Sequence, residues 1–262
     1  MQLGLQNKVA VVLAASRGFG KACAHALAGE GCKVAICSRN EQQIQDTARE
    51  ISRLTGMELI HGCVDVEDKE QIDSFLEKVV TKWQRVDILV TNAGGPPVKN
   101  FEQTSDQEWE KYFRITFMSV VWAIKAVLPV MKQHKWGRII NITSMSVKEP
   151  IMDLVYSKAL RPAVIGLAKT LSKEVGPWGI TVHNIAPGYH LTEGLERIVK
   201  KRMEQGEKQE DIYDQWKSTI PLQRIGDASE LAALVTFLCS EQAGYMSGNT
   251  IQVDGGKLNS IM

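Results

Sequence analysis

The segment LVYSKALRPAV, residues 154–164, holds the side chains in this chain that are best suited to proton transfer. A tyrosine phenol with a pKa of about 10 acts as a general acid when a nearby positive charge lowers that pKa. Residues four apart share a helix face, so Tyr156 needs its cation at position 160, where the chain has leucine. Ser157 and Arg161 form such a pair instead, and Lys158 projects elsewhere. The segment is therefore an active site, an active site with altered residues, or the remnant of one.

The composition excludes several classes of protein. With 262 residues, 44% of them hydrophobic and 23% charged, the chain is long enough for one large domain. Its net charge of +1 gives no reason to expect nucleic acid or a membrane surface as a partner. No apolar run approaches the ~18 to 20 residues of a membrane span, and the first residues lack the basic region of a signal peptide. The five cysteines are scattered without metal-like spacing, which predicts reduced thiols, a cytoplasmic location and no metal site.

Short β-branched runs alternate with helical patterns along the chain. This order predicts a parallel sheet covered by helices on both faces, and right-handed crossovers then give a doubly wound α/β sheet in three layers. We expect a single domain over residues 1–262. The predicted strands are 8–14, 33–38, 58–64, 86–93, 137–144, 181–187 and 249–254, and the predicted helices are 20–29, 41–54, 68–83, 106–133, 157–175 and 227–240.

The charged stretch 193–217 differs in composition from the rest of the chain. It follows the carboxyl end of a predicted strand, where mobile segments often cover substrates. It is a solvated helical excursion or a small helical substrate lid.

A glycine-containing turn, LAASRGFG, joins the first predicted strand to its helix. Glycines at this junction let the backbone approach a pyrophosphate, while the helix N-terminus supplies amide donors and a favourable dipole. We expect the turn to bind a dinucleotide through Ser16, Arg17, Gly18, Phe19 and Gly20.

From this turn onward the chain resembles the short-chain dehydrogenase/reductase family over almost its whole length. The family pattern TGxxxGxG is represented by Leu13, Ala14, Gly18 and Gly20, with alanine in place of the first glycine. The resemblance implies a Rossmann-type sheet, a nicotinamide cofactor and a VDGG signature at 253–256. Further cofactor contacts that it implies are Asp65 and Val66, then Asn92, Ala93 and Gly94, and finally Pro187, Gly188, His190 and Thr192.

The end of the second strand predicts which nicotinamide cofactor binds. An acidic residue there would accept hydrogen bonds from the ribose 2′-hydroxyl and repel a 2′-phosphate. Ser38 stands in that position, Arg39 follows it, and Arg17 of the glycine turn converges on the same place. Two guanidiniums suit a phosphate dianion, so we expect NADP(H).

The resemblance also assigns four catalytic positions. Ser144 matches the serine that orients the substrate oxygen, whereas Thr116 takes the asparagine position, Ser157 the tyrosine position and Arg161 the lysine position. A serine hydroxyl is a far weaker acid than a phenol, and a guanidinium keeps its proton near neutrality. The family's usual proton relay therefore cannot run through these positions, although Arg161 can still hold ribose hydroxyls.

Two other residues could supply the missing acid. Tyr156 could precede the helix and swing its phenol toward the nicotinamide beside Arg161, or it packs at the helix start. His190 could donate a proton from the loop that borders the nicotinamide in the family, or it contacts only solvent and backbone.

We therefore expect an NADP(H)-dependent oxidoreductase that acts on a small or medium carbonyl or alcohol, with Ser144, Tyr156 and Arg161 as its catalytic residues. The alternatives are a catalytically impaired NADP(H)-binding protein and a reductase of activated C=C bonds. Because members of the family are commonly dimers or tetramers, the resemblance also implies a homo-oligomer, here a homotetramer, that binds a small-molecule substrate.

Overall fold

Seven parallel strands form the central sheet of the structure, a computed structural model that describes residues 2–260. The strands lie in the order β3-β2-β1-β4-β5-β6-β9. From β1 the chain adds strands first on one side, toward β3, and then on the other, from β4 onward. The crevice between β1 and β4, where the strand order reverses, is the point where such sheets bind ligands. The strands are β1 (Val9–Val12), β2 (Lys33–Ser38), β3 (Leu59–Cys63), β4 (Ile88–Thr91), β5 (Gly137–Ile142), β6 (Ile180–Pro187), the short pair β7 (His190–Leu191) and β8 (Gly226–Asp227), and β9 (Asn249–Val253).

Nine α-helices connect and cover these strands within the described residues. They are α1 (Gly18–Gly29), α2 (Glu41–Thr55), α3 (Lys69–Trp83), α4 (Asp106–Phe113), α5 (Ser119–His134), α6 (Val155–Val175), α7 (Glu193–Glu204), α8 (Gln209–Ser218) and α9 (Ala228–Cys239). The predicted doubly wound α/β class is confirmed. The predicted strands and helices agree with the structure to within two residues at most ends, while β7 and β8 were not predicted.

The pleat of each strand distributes its side chains between two hydrophobic cores. Val9 and Val11 of β1 face the core beneath α3, α5 and α6, whereas Ala10 and Val12 face the core beneath α1 and α9. Both faces of the sheet are therefore buried, which is why its strands are continuous apolar runs instead of alternating ones.

The sequence led us to expect no segment long and apolar enough to span a membrane, and the helical stretch Asp106–His134 is an exception to that expectation. By length and apolar composition it passes that test, but half of its apolar window is buried inside the protein. Val127 and Met131 are fully buried in the core beside β4 and β5. In this structure the stretch is thus a core helix, whose apolar composition reflects burial against the sheet.

A row of polar side chains links four neighbouring strands, β4, β5, β6 and β9. Thr91 donates to the Asn141 side chain at 2.8 Å, Asn141 donates to Asn184 at 3.0 Å, and Asn184 donates to Thr250 at 3.2 Å. Three of these side chains are almost fully buried, so unmet hydrogen bonds would be costly and the strand register is fixed where the site begins.

Helices α7 and α8 lie in the charged stretch and enclose a small hydrophobic cluster of their own. Leu195 and Val199 of α7 pack with Ile212 and Trp216 of α8. Trp216 also stacks on Tyr189, with 4.9 Å between ring centroids. The stretch is thus a packed helical pair that begins directly after β7.

Candidate active site

Ser144 lies just beyond the carboxyl end of β5, at the edge where parallel sheets bind ligands. Its hydroxyl accepts a hydrogen bond from the backbone N–H of Ser146 at 3.1 Å and begins a short 3₁₀ turn over Met145–Val147. The preceding Thr143 donates to the carbonyl of Ile185 in β6 at 2.7 Å. The Ser144 side chain is therefore held at a defined place above the sheet.

Ser157 and Arg161 of α6 face this turn, as their i,i+4 spacing predicts. The Ser157 hydroxyl lies 2.8 Å from the Ser146 hydroxyl, and both side chains are buried. Arg161 donates through Nη1 to the carbonyls of Ile142 at 3.2 Å and Thr143 at 2.7 Å. Two serine hydroxyls and one guanidinium therefore meet beside Ser144.

The charge on Arg161 has no carboxylate partner among residues 2–260. Burial lowers the pKa of Arg161 to about 10, since burial disfavours the charged form, yet the group stays protonated at neutral pH. Its Nε also lacks a hydrogen-bond partner within the described residues. A buried cation with an unused donor is a strong sign of a binding role, because burial of an unpaired charge costs several kcal/mol.

Thr116 lies in a π-helical turn, Arg114–Met118, that separates α4 from α5 and packs against α6. Its hydroxyl is buried and has no partner in the described part of the chain. Turns of this kind are frequent at functional sites. The residue in the family's asparagine position thus presents a free hydroxyl from a local distortion that the sequence pattern did not predict.

The structure places Tyr156 differently from the expectation that it reaches the nicotinamide. Tyr156 is the second residue of α6, fully buried, and its hydroxyl donates to Glu108 at 3.0 Å. Its ring packs on Trp109 and Tyr112, with centroid distances of 4.6 and 5.0 Å. Burial, and then the hydrogen bond to Glu108, raise the pKa of the phenol. The alternative of a packing residue at the helix start fits this geometry.

His190 is also held in a way that does not suit a proton donor. The ring is buried, its Nδ1 lies 3.2 Å from the carbonyl of Gly188, and it meets Phe19 edge-on at 5.1 Å. Burial lowers its pKa, so the imidazole is neutral at pH 7. The contact joins the glycine turn to the loop that follows β6.

The glycine turn is shaped to bring backbone close to a ligand. A methyl group on Gly20 would lie 2.7 Å from the carbonyl oxygen of Ala14, so only glycine fits. Ala14 itself has a φ of +49°, a conformation that glycine adopts more easily. Asn92, after β4, donates to the carbonyl of Ala14 at 3.1 Å and braces the turn. These features fit a pyrophosphate at the N-terminus of α1.

Ser38, Arg39 and Arg17 fit the phosphate that distinguishes NADP(H). Ser38 ends β2 and donates to the carbonyl of Asn40 at 3.2 Å, so no carboxylate occupies that position. Arg17 and Arg39 are exposed, and neither forms an ion pair with any residue from 2 to 260. Two free guanidiniums near the carboxyl end of β2 suit a phosphate dianion.

The remaining predicted cofactor residues follow other strand ends. Asp65 lies after β3 and accepts from the N–H of Glu67 at 3.0 Å, while Thr192 caps α7 by accepting from Leu195 at 3.3 Å. A methyl group on Gly18 would come within 3.6 Å of Thr192, so α7 begins against the glycine turn. The other predicted residues in this group are Ser16, Val66, Ala93, Gly94, Pro187 and Gly188, which lie at or just beyond strand ends.

Sequence reasoning missed Ser146, Glu108 and Lys99. Ser146 forms hydrogen bonds with Ser144 and Ser157, whereas the pattern TSMS predicted a site residue only at Ser144. The pattern SDQE is the signal from which Glu108 could have been predicted, as the N3 residue of a capping box whose N-cap is Ser105. No motif in the neighbouring sequence predicts that Glu108 also binds Lys99 and Tyr156.

The fold and the site define a nicotinamide-dependent oxidoreductase, and the relatives of the chain agree. A family profile described as Enoyl-(Acyl carrier protein) reductase matches residues 13–257. The NADPH-dependent reductase BacG of Bacillus subtilis (strain 168) is 32% identical over 259 residues, covering 98% of this chain and all of that protein. The 3-oxoacyl-(acyl-carrier-protein) reductase FabG of Aquifex aeolicus (strain VF5) is 32% identical over 257 residues, covering 98% and 99%.

A solved structure gives the same result. L-sorbose reductase from Gluconobacter frateurii, complexed with NADPH and L-sorbose, superposes with a TM-score of 0.96 at 29% identity and covers all of both chains. The chain belongs to the short-chain dehydrogenase/reductase family. It is an NADP(H)-dependent oxidoreductase, which confirms the predicted enzyme class and cofactor.

We expect Arg39→Ala to weaken NADPH binding roughly 10- to 100-fold, because each charge-assisted hydrogen bond to the phosphate contributes about 1.5–3 kcal/mol. NADH lacks the phosphate, so its dissociation constant should change less than about twofold. Fluorescence titration of both cofactors measures the two constants. Lys82→Met, which breaks an exposed ion pair with Glu58, is the control. Equal weakening of NADPH and NADH would exclude a phosphate contact.

Proposed function

We propose that this chain reduces a small or medium-sized carbonyl compound with NADPH, with Ser144 orienting the substrate oxygen and Arg161 holding the nicotinamide ribose. The observation that carries this proposal is the buried guanidinium of Arg161, which donates to the carbonyl of Thr143, the residue directly before Ser144. Oxygen atoms that gain negative charge during reduction are stabilised by fixed donors and cations in a site of low dielectric.

The cleft is defined here by Ser144, Ser157 and Arg161 at the carboxyl end of β5, and these side chains divide the work by their chemistry. Bound NADPH supplies the hydride. Ser144 donates a hydrogen bond to the substrate oxygen and keeps its proton, while the fixed charge of Arg161 favours the anionic form of that oxygen. Ser157 carries only a hydroxyl where the family has a phenol, so it can hold an oxygen but is a poor acid. Solvent water is then the source of the proton.

The cofactor contacts form the second part of the proposal. Arg17 and Arg39 bind the 2′-phosphate, and the glycine turn from Ser16 to Gly20 binds the pyrophosphate. Asp65 and Val66 contact the adenine. Asn92, Ala93, Gly94, Pro187, Gly188, His190 and Thr192 enclose the nicotinamide side.

We expect Ser144→Ala to lower kcat by roughly 10²–10³-fold, the usual effect of removing one donor to a developing oxyanion. The dissociation constant for NADPH should stay within about twofold of wild type, since Ser144 does not hold the cofactor. The test is NADPH oxidation with a panel of small aldehydes and ketones. Thr55→Ala, at the far end of α2, is the control. Undiminished turnover in Ser144→Ala would exclude the assigned role.

Reduction of an activated C=C bond is a second candidate, favoured by Ser157 in the tyrosine position. Reduction of a conjugated carbonyl compound leaves an enolate, whose oxygen needs stabilisation by donors and positive charge. The carbon is protonated afterwards by water, so no strong acid has to lie beside the oxygen. The cleft supplies this set of groups.

Product analysis separates the two candidates. With 2-cyclohexen-1-one in deuterated water, carbonyl reduction gives the unsaturated alcohol, and C=C reduction gives cyclohexanone with deuterium beside the carbonyl. We expect Ser157→Tyr combined with Arg161→Lys to shift the products toward the alcohol, because that pair restores a phenol of lowered pKa. An unchanged product ratio in the double variant would mean that the tyrosine position does not decide the reaction.

Three broader proposals concern organisation and location. The charged stretch 193–217, which holds α7 and most of α8, acts as a substrate lid of a single domain that spans residues 1–262. The start of this stretch lies against Gly18 of the glycine turn, which supports the lid.

A cytoplasmic location is supported by five unpaired cysteines, four of them buried. A homo-oligomer, a dimer or a tetramer, is supported by the family, whose members are commonly oligomeric.

A further inference from the structure

Glu108 joins two parts of the chain that border the cleft. Its carboxylate lies 2.6 Å from Nζ of Lys99, in the loop after β4, and accepts the Tyr156 hydroxyl of α6 at 3.0 Å. Lys99, Glu108 and Tyr156 are called the Glu108 clasp here. The carboxylate also accepts from the backbone N–H of Ser105 at 3.2 Å, which fixes it at the start of α4. One side chain therefore ties together a loop and two helices.

The hydrogen bond and the ion pair of the Glu108 clasp are both at least partly shielded from water, which strengthens their contribution to stability. Tyr156 is fully buried, so its hydroxyl needs an acceptor, and loss of that acceptor costs about 1–3 kcal/mol. Lys99 and Glu108 are only 31% and 27% exposed, so water screens their ion pair less than it screens a surface pair. The Lys99 ammonium and the Tyr156 hydroxyl lower the pKa of Glu108, which keeps it ionised at neutral pH.

The start of α6 depends on these contacts because it has no side-chain cap. Leu154 is at the N-cap position and makes no capping hydrogen bond. The backbone N–H of Lys99 instead donates to the carbonyl of Asp153 at 2.6 Å, and Lys99 pairs with Leu154 in an isolated bridge. The backbone of Lys99 thus holds the start of α6 directly, and its side chain acts on the first turn of α6 through Glu108 and Tyr156.

That first turn carries Ser157, the residue directly after Tyr156. Ser157 is within 2.8 Å of Ser146, and Arg161 follows one turn later. A small rotation of the first turn would move Ser157 away from Ser146, and displacements of about 1 Å in a reacting group can cost up to 10²-fold in rate.

We propose that Glu108 is a positioning residue: by holding Lys99 and Tyr156 at once, it fixes the loop 94–100 against the first turn of α6 and so sets the place of Ser157 in the cleft. The effect on turnover rests on the proposed function. The effect on local order does not, and it can be measured without a substrate.

Hydrogen exchange of the NADPH-bound protein, read by mass spectrometry, tests the proposal. In Glu108→Ala we expect exchange at 98–100 and at 154–158 to accelerate roughly tenfold, because both partners lose their acceptor. Glu108→Gln keeps an acceptor for the phenol but loses the charge, so only 98–100 should accelerate. Tyr156→Phe removes the phenol oxygen without a cavity, so only 154–158 should accelerate.

Turnover and binding provide the second readout. We expect kcat of Glu108→Ala to fall roughly 10- to 100-fold on the best substrate of the aldehyde and ketone panel, with the NADPH dissociation constant within about twofold of wild type. Lys82→Met removes a remote ion pair and should change neither quantity. Unchanged exchange at both segments in Glu108→Ala would overturn the proposal. If wild type turned over no carbonyl compound, the proposed function would fail, and the exchange data would still decide the role of Glu108.

Discussion

The buried guanidinium of Arg161 is the interaction on which the arrangement of the cleft depends. It crosses from α6 to the carbonyls of Ile142 and Thr143, so it joins the helix that carries Ser157 to the strand end that carries Ser144. Removing a charge from water costs several kcal/mol, and two neutral carbonyls compensate only part of that cost. Buried ionisable groups of this kind cluster at functional sites, and this one lies one helical turn from Ser157 and bonds to the residue before Ser144.

The two ends of the site have kept the family pattern to different degrees. At the cofactor end the glycine turn keeps Gly18 and Gly20 of the family pattern, and Arg17 and Arg39 form no ion pair within residues 2–260, which suits a phosphate dianion. At the catalytic end the family's phenol is replaced by Ser157, and the adjacent phenol of Tyr156 is engaged by Glu108. On the proposed function, the cleft would hold and stabilise an oxyanion, and none of its side chains within residues 2–260 is suited to protonate that oxygen.

Periodicity and local motifs predicted most of the fold and part of the site. The strands were predictable because both of their faces are buried and their apolar runs are continuous, as in VAVV of β1. Ser144 and Arg161 were assigned by resemblance to the family, and the i,i+4 spacing of Ser157 and Arg161 placed those two side chains on one helix face. The environment of Tyr156 was not predictable, because its acceptor Glu108 lies 48 residues earlier and the contact arises only when α4 packs on α6. The π-helical turn at Thr116 was missed for the same reason, as it depends on packing and not on local propensity.

The pH dependence of the hydride-transfer step tests most directly whether reduction proceeds without a tyrosine acid. Single-turnover oxidation of bound NADPH would be followed from about pH 6 to about pH 10 in wild type and in Tyr156→Phe. The account predicts that the pH profile of the rate shows no step due to tyrosine ionisation in that range and has the same shape in wild type and in Tyr156→Phe. A falling limb in the wild type that Tyr156→Phe abolishes would show that Tyr156 delivers the proton and would contradict the account.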